Sequence, residues 1–149
     1  MDANIQTQPK KKVLILCTGN SCRSQMAEAI INQLLPDWHA FSAGTKPAGF
    51  VHPLAIQVLH EIGINHAGYS KSTDQFRDVP FDLVITVCDD ATENCPLWLG
   101  KGRKMHIGFA DPAKASGSEE EILQAFRMVL QDIARQIPNA IRQWEIENP

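Results

Sequence analysis

Apolar runs of strand length alternate with helix-like patterns along the chain. Residues 12–17 are apolar after their first position, which is typical of a parallel strand covered on both faces. Residues 81–87 form a second run of this kind, and residues 38–42 and 104–109 form two shorter ones. The pattern therefore predicts four strands.

Helical periodicity fills the gaps between these strands. Apolar residues recur at helical spacing from Arg23 until Pro36 interrupts them. Pro53 suits the first turn of a second helix, and Gly63 suits its C-terminal cap. The less regular residues 65–80 are expected to hold a short helix.

The last helix has the clearest start. Ser118 and Glu121 form a capping box, and the apolar residues that follow lie on one face of a helix. We expect this helix to end before Pro138. The sequence then divides into a disordered leader at residues 1–10, one domain at residues 11–137 and a C-terminal tail at residues 138–149.

Alternating strands and helices predict a single α/β domain, a doubly wound sheet of four parallel strands with helices on both faces. Ligands of such sheets bind outside the carboxyl ends of the strands. Cys17, Cys88 and Asp111 each lie at or just after the end of a predicted strand. We therefore expect these three side chains to share a site.

Composition and charge narrow the classes of partner. The net charge of −3 offers no general attraction to nucleic acid or to an anionic membrane, so an anion would need a local site. No apolar run reaches the length of a membrane span, and residues 1–10 lack the apolar core of a secretory signal. Four cysteines are too few for a secreted disulfide scaffold. We expect a cytoplasmic protein that works as a monomer.

The segment between the first strand and the first helix, Cys17-Thr-Gly-Asn-Ser-Cys-Arg23-Ser24, has the features of an anion-binding loop. Its amides and the helix N-terminus can converge on an anion and hold Cys17 as its thiolate. Arg23 adds a planar pair of donors for oxyanion oxygens, and Ser24 can donate a hydrogen bond to the sulfur. The alternative is a packed cysteine beside a surface arginine. The expected oxyanion-binding residues are Thr18, Gly19, Asn20, Ser21, Cys22, Arg23 and Ser24.

Residues 17–28 resemble the oxyanion loop of low-molecular-weight protein tyrosine phosphatases, and they are similar in detail to the thioredoxin-coupled arsenate reductases on that fold. The similarity continues through Ser42-Ala-Gly44, Asn94-Cys-Pro96 and residues 108–112, and it covers about residues 11–137. The resemblance implies a sheet of strand order 2-1-3-4. It also implies reduction of arsenate to arsenite without a tightly bound cofactor.

A relay of three thiols follows from the resemblance. Cys17 would attack arsenate, Cys88 would attack Cys17 and expel arsenite, and Cys95 would attack Cys88 and carry the disulfide outward. In the order 2-1-3-4, the strands that end at Cys17 and Cys88 are neighbours about 5 Å apart, which suits a disulfide. The alternative is that Cys88 and Cys95 are small buried hydrophobic residues. Cys22 is either a spare redox partner or packing.

The partners implied by the resemblance are arsenate, phosphate or sulfate as oxyanions and thioredoxin as the electron donor. A glutaredoxin route, which would need only two cysteines of the protein, is the alternative donor. Asp111 before Pro112 is expected to protonate the departing oxygen as a general acid, or else to start a turn before the proline.

Two other functions use the same loop. A tyrosine phosphatase would need Cys17, Arg23 and Asp111 but no relay. Those phosphatases carry aromatic residues after their Asp-Pro, and this chain has Ala113-Lys-Ala there, which favours a small inorganic substrate. A non-catalytic oxyanion or redox sensor is the other alternative.

The resemblance also implies a weak potassium site at Asn20, Glu28 and Ser42. The fourth ligand in such relatives is an aspartate, and our alignment places Ser72 there, with Asp74 two residues on. No other metal is expected, because the five histidines show no paired metal spacing. We expect these to be surface or structural residues: His39, His52, His60, His66 and His106.

Overall fold

The computed structural model describes residues 9–89 and 97–149; Cys95 and most of the predicted leader lie outside these ranges. The strand order is β2-β1-β3-β4, and every neighbouring pair is parallel. The predicted α/β fold with a four-stranded sheet of order 2-1-3-4 is therefore confirmed. The strands are β1 (Lys11–Cys17), β2 (Trp38–Gly44), β3 (Leu83–Thr86) and β4 (Arg103–His106).

Within these residues three α-helices accompany the sheet: α1 (Arg23–Leu34), α2 (Pro53–Glu61) and α3 (Glu119–Glu147). Ser118 and Glu121 form the predicted capping box of α3. The short helix expected within residues 65–80 is a 3₁₀ turn at Thr73–Phe76. None of the described helices is long and apolar enough to cross a membrane.

The two faces of the sheet are covered by different kinds of structure. Val13 and Ile15 of β1 are fully buried in one core cluster with apolar side chains from all three α-helices. Leu14 and Leu16 point to the opposite face, as alternation along a strand requires, and the 3₁₀ turn packs there. Among the described residues, the helical structure on the second face is this short 3₁₀ turn.

The last helix does not end before Pro138. Helix α3 continues through this proline, so residues 138–147 are helical and do not form the expected tail. Proline in a helix costs about 3 kcal/mol. Packing beyond it offsets this cost, because Ile141 is fully buried and Trp144 rests on Trp38 with ring centroids 5.8 Å apart. Full burial of an isoleucine contributes about 1.5–3 kcal/mol by itself.

Beyond β3 and β4, both shorter than predicted, the chain remains paired. The N–H of Ile107 donates to the carbonyl of Thr86 at 2.9 Å, and the N–H of Phe109 donates to that of Val87 at 3.2 Å. This extended pairing carries the chain from β4 to Asp111, next to the ends of β1 and β3.

We predict that Ile141→Ala lowers the free energy of unfolding by about 2–5 kcal/mol, because it opens a cavity under α3. Ile146→Ala is the matched control: this isoleucine lies in the same segment, is 73% exposed, and its loss should change stability by less than about 0.5 kcal/mol. Denaturant unfolding of both variants measures the difference. Equal free energies of unfolding for the two variants would mean that residues 138–149 form a tail that does not pack on the domain.

Candidate active site

Residues 18–22 connect β1 to α1 as a tight loop whose carbonyl groups are held from one side. The C=O and N–H groups of one peptide plane point in opposite directions. Each loop carbonyl that accepts a hydrogen bond from the segment 46–52 therefore leaves the N–H group of the same plane pointing away from that segment. Amides gathered in this way can bind an anion. The main-chain bonds run from Lys46, Ala48 and His52 to the carbonyls of Thr18, Gly19 and Ser21, at 2.9 to 3.0 Å.

Asn20 gives the loop its shape. Its φ of 50° lies in the left-handed region, and its side chain is fully buried. Asn20 Nδ2 donates to Ser24 Oγ at 2.8 Å. Its Oδ1 accepts from the backbone N–H of Lys71 at 2.9 Å and from Gln25 Nε2 at 3.0 Å. The amide group therefore ties the loop to α1 and to the segment before the 3₁₀ turn.

Gly44 at the end of β2 allows the loop to lie directly against the sheet. A Cβ at this position would overlap the carbonyl oxygen of Thr18 and approach the backbone nitrogen of Asn20 to 3.0 Å. Gly44 also pairs in register with Cys17. Only glycine therefore fits between the end of β2 and the loop.

Cys17 is the last residue of β1 and is 2% exposed. Its Sγ lies 2.9 Å from Ser24 Oγ. Because Ser24 Oγ already accepts from Asn20, its own proton is available to donate to the sulfur. The thiolate is the nucleophilic form of cysteine, and this hydroxyl is placed within hydrogen-bond distance of the sulfur.

Arg23 and Asp111 lie together at the start of α1. The Arg23 side chain is nearly buried, and its Nη1 donates to the carbonyl of Phe109 at 3.1 Å. Its Nη2 lies 3.8 Å from Asp111 Oδ2. Asp111 Oδ1 accepts from the N–H of Ala113 at 3.0 Å, so this aspartate also starts a short turn at Pro112–Lys114. One carboxylate oxygen thus serves the turn and the other faces the arginine.

These groups line one pocket of about 260 Å³. His52 also lines this pocket, although we expected a surface or structural role for it. His52 Nδ1 accepts from the N–H of Leu54 at 3.1 Å, and its ring lies 4.7 Å from that of Phe126. Burial lowers the His52 pKa against the opposing effect of Asp111, so the ring is neutral at pH 7 with its proton on Nε2. The lining residues are Cys17, Gly19, Ser21, Cys22, Arg23, Ala48, Phe50, His52, Asp111 and Ala113.

Cys22 is a second thiol that lines the pocket. Burial, followed by the nearby charge of Asp111, raises the pKa of the Cys22 thiol to about 12. Cys22 is therefore a neutral thiol at physiological pH. Cys17 and Cys22 both carry free sulfurs.

Cys88 lies at the carboxyl edge of the strand next to β1. The N–H of Val87 donates to the carbonyl of Leu16 at 2.9 Å, which places Cys17 and Cys88 at the ends of neighbouring strands. Cys88 is fully buried and is disulfide-bonded. Cys95, the third member of the expected relay, falls outside the described residues.

The expected potassium site does not fit a metal ion here. Glu28 and Ser42 lie together, with Ser42 Oγ donating to Glu28 Oε1 at 2.9 Å, and the buried ammonium of Lys71 lies beside them. Lys71 Nζ is 3.6 Å from Glu28 Oε1 and 3.5 Å from Ser42 Oγ. Ser72, placed here by our alignment, instead accepts from the N–H of Asp74 and caps the 3₁₀ turn. A positive side chain thus stands where the resemblance implied a bound cation.

Comparison with known proteins agrees with the fold. A protein of Halalkalibacterium halodurans named arsenate reductase is 43% identical over 130 residues, which cover 86% of this chain and 93% of that protein. The crystal structure of arsenate reductase from Archaeoglobus fulgidus matches with a TM-score of 0.70 at 28% identity, over 87% of this chain and 98% of that one. A thioredoxin-dependent arsenate reductase of Corynebacterium glutamicum matches with a TM-score of 0.56 at 26% identity, over 91% of this chain and 65% of that one.

The family model described as low molecular weight phosphotyrosine protein phosphatase matches residues 12–147, which include the loop, the four strands apart from the first residue of β1, and the whole of α3. With nearly the full length matched and with relatives named arsenate reductase, the chain belongs to the low molecular weight phosphotyrosine protein phosphatase family.

Proposed function

We propose that this protein reduces arsenate to arsenite, with Cys17 as nucleophile and with Cys88 and Cys95 as the other thiols of a relay. The observation that carries the proposal is the setting of Cys17, whose sulfur is hydrogen-bonded to Ser24 in a pocket shared with Arg23 and Asp111. Relatives more than 40% identical are named arsenate reductases, which supports arsenate as the oxyanion. Such thiol chemistry needs a reducing compartment, so we assign it to the cytoplasm.

The first step is attack of the Cys17 thiolate on arsenic. The loop amides and the Arg23 guanidinium bind the oxyanion oxygens. A sulfur–arsenic bond forms, one arsenic–oxygen bond breaks, and the oxygen leaves as water after protonation. We assign the supply of this proton to Asp111, and its position in the same pocket as Cys17 and Arg23 supports the assignment.

The second step transfers two electrons. The Cys88 thiolate attacks the Cys17 sulfur, the sulfur–arsenic bond breaks, and its electron pair stays on arsenic, which leaves as As(III) in arsenite. The two sulfurs are oxidised to a disulfide. Cys95 then attacks Cys88 and releases Cys17, and thioredoxin reduces the outer disulfide. Cys88 is disulfide-bonded while Cys17 is free, which is consistent with a release of Cys17 before Cys88 is reduced. The thioredoxin-dependent relative supports thioredoxin as the electron donor.

Hydrolysis of phosphate monoesters is the second candidate function, because a phosphatase would use the same Cys17, Arg23 and Asp111. The pocket favours this hydrolysis less than it favours arsenate reduction. Next to Asp111 its wall is formed by Ala113, and Phe50, which is 54% exposed, is the one phenyl ring among the described lining residues. An aryl group would therefore be contacted by few apolar surfaces, whereas a small inorganic oxyanion needs none. We propose phosphatase activity only as a side reaction.

We predict that Cys22 is alkylated far more slowly than Cys17. With a pKa of about 12, its thiolate fraction at pH 7 is only about one in 10⁵. The measurement is peptide mapping of iodoacetamide adducts over time in a Cys88→Ser, Cys95→Ser double variant, where only these two thiols remain. Comparable rates at both positions would contradict the assigned state of Cys22 and reopen its role as a redox partner.

We predict that Arg23→Lys weakens phosphate binding by roughly ten- to a hundredfold, because the charge remains but the two-pronged donor is lost. Titration calorimetry with inorganic phosphate measures the affinity. Arg77→Lys is the control, since Arg77 is exposed and pairs only with Asp74 among the described residues. Unchanged phosphate affinity in Arg23→Lys would remove Arg23 from the oxyanion site.

The order of the relay gives the sharpest prediction. Cys17→Ser should abolish both arsenate reduction and any phosphatase activity, because both need the nucleophile. Cys88→Ser should stop reduction with arsenic trapped on Cys17 and leave phosphatase activity largely intact. Cys95→Ser should allow one turnover and then stall as a Cys17–Cys88 disulfide.

Mass mapping of the trapped species after one addition of arsenate distinguishes these states. Steady-state assays with thioredoxin and with glutaredoxin then identify the donor. Normal turnover of Cys95→Ser with thioredoxin would overturn the three-thiol relay and leave a two-thiol mechanism.

A further inference from the structure

Lys71 is a buried lysine whose ammonium group is surrounded by oxygen atoms. The residue is 7% exposed. Its Nζ donates to the carbonyl of Tyr69 at 2.9 Å and lies 3.5 Å from Ser42 Oγ and 3.6 Å from Glu28 Oε1. The Tyr69 ring lies 4.7 Å from the same nitrogen. A carbonyl, a hydroxyl and a carboxylate are the ligands that a hard cation prefers, and here they surround an ammonium.

The charges in this cluster already balance. Glu28 supplies one negative charge and Lys71 one positive charge. The His66 ring also faces this carboxylate, with its Nε2 3.9 Å from Glu28 Oε2. A further cation would have to enter a buried space next to the ammonium, where like charges repel strongly.

The same lysine is bonded to the anion-binding loop through its main chain. Its N–H donates to Asn20 Oδ1 at 2.9 Å, and its carbonyl accepts from the N–H of Gly44 at 2.9 Å. Asn20 in turn donates to Ser24, which contacts the Cys17 sulfur. Displacing Lys71 would therefore disturb the chain of contacts that positions the nucleophile.

We propose that the Lys71 ammonium is a resident cation that takes the place of an alkali metal ion and braces the loop. The protein then needs no potassium, whereas removal of the ammonium exposes a site made of Glu28 and Ser42 that a potassium ion can fill. Lys71 is a positioning residue in this proposal. The proposal concerns the shape of the loop, so its test does not depend on whether arsenate is the substrate.

The test is thermal unfolding in matched potassium chloride and tetramethylammonium chloride. Wild type should unfold at the same temperature in both salts. Lys71→Asp, which replaces the ammonium by a carboxylate, should unfold roughly 5–10 °C lower in tetramethylammonium chloride, and potassium should restore much of this loss. Lys101→Asp is the matched control, since this exposed lysine undergoes the same charge change and should show no response to potassium.

Phosphate affinity in the same two salts provides a second readout. The affinity of Lys71→Asp for inorganic phosphate should be weaker than that of wild type by roughly tenfold in tetramethylammonium chloride and should recover in potassium chloride. If Lys71→Asp does not fold, Lys71→Gln replaces it, because its amide oxygen can also coordinate potassium.

Three outcomes would overturn the proposal. The first is a wild type that potassium stabilises. The second is a variant that unfolds at the wild-type temperature without potassium. The third is a destabilised variant that potassium leaves unchanged, which would make Lys71 a packing residue with no relation to a cation site. None of these measurements requires arsenate.

Discussion

The buried amide of Asn20 is the contact on which the rest of the site depends. It holds Asn20 itself in a left-handed conformation in the middle of the loop, because it is hydrogen-bonded to Ser24, Gln25 and the main chain of Lys71. A hydrogen bond between neutral groups contributes only about 1 kcal/mol of net stability, but leaving such a group buried and unpaired costs more. The loop therefore keeps one conformation because all of these bonds are made together.

Helix α1 separates two charged environments within its first two turns. Arg23 lines the pocket and offers positive charge there, while the buried Ser24 hydroxyl lies 2.9 Å from the Cys17 sulfur. One turn further, Glu28 faces Lys71 on the side away from the nucleophile. Gln25 joins the two sides, since its Nε2 contacts Asn20 and its Oε1 lies 2.6 Å from His66 Nε2. Anion binding and loop bracing thus share one stretch of helix but use opposite charges.

Much of the fold can be predicted from local sequence patterns, and the parts that cannot be predicted depend on long-range contacts. The apolar run of β1 and the capping box at Ser118 predict their elements, because each pattern has one favourable backbone solution. The continuation of α3 through Pro138 depends on Trp144 meeting Trp38, which is more than a hundred residues away and leaves no local signal.

The residues of the pocket and its surroundings also divide into those that the sequence predicts and those that it does not. Cys17 and Asp111 were predicted to share a site because the strand ends of a parallel sheet converge, and Arg23 was predicted from the pattern of the loop. His52 reaches the pocket from a different connection, and a lone histidine has no distinctive spacing. Lys71 was missed because lysine is rarely buried, and an alignment compares positions but not the direction of a side chain.

The close contact of Gly44 with Thr18 determines how the loop can open. Gly44 pairs with Cys17 in register and is bonded to Lys71, so the loop cannot loosen unless β2 separates from β1. The loop is therefore part of the same cooperative unit as the central strands. An incoming oxyanion therefore meets a receptor that is already assembled, so little binding energy is lost to ordering the chain.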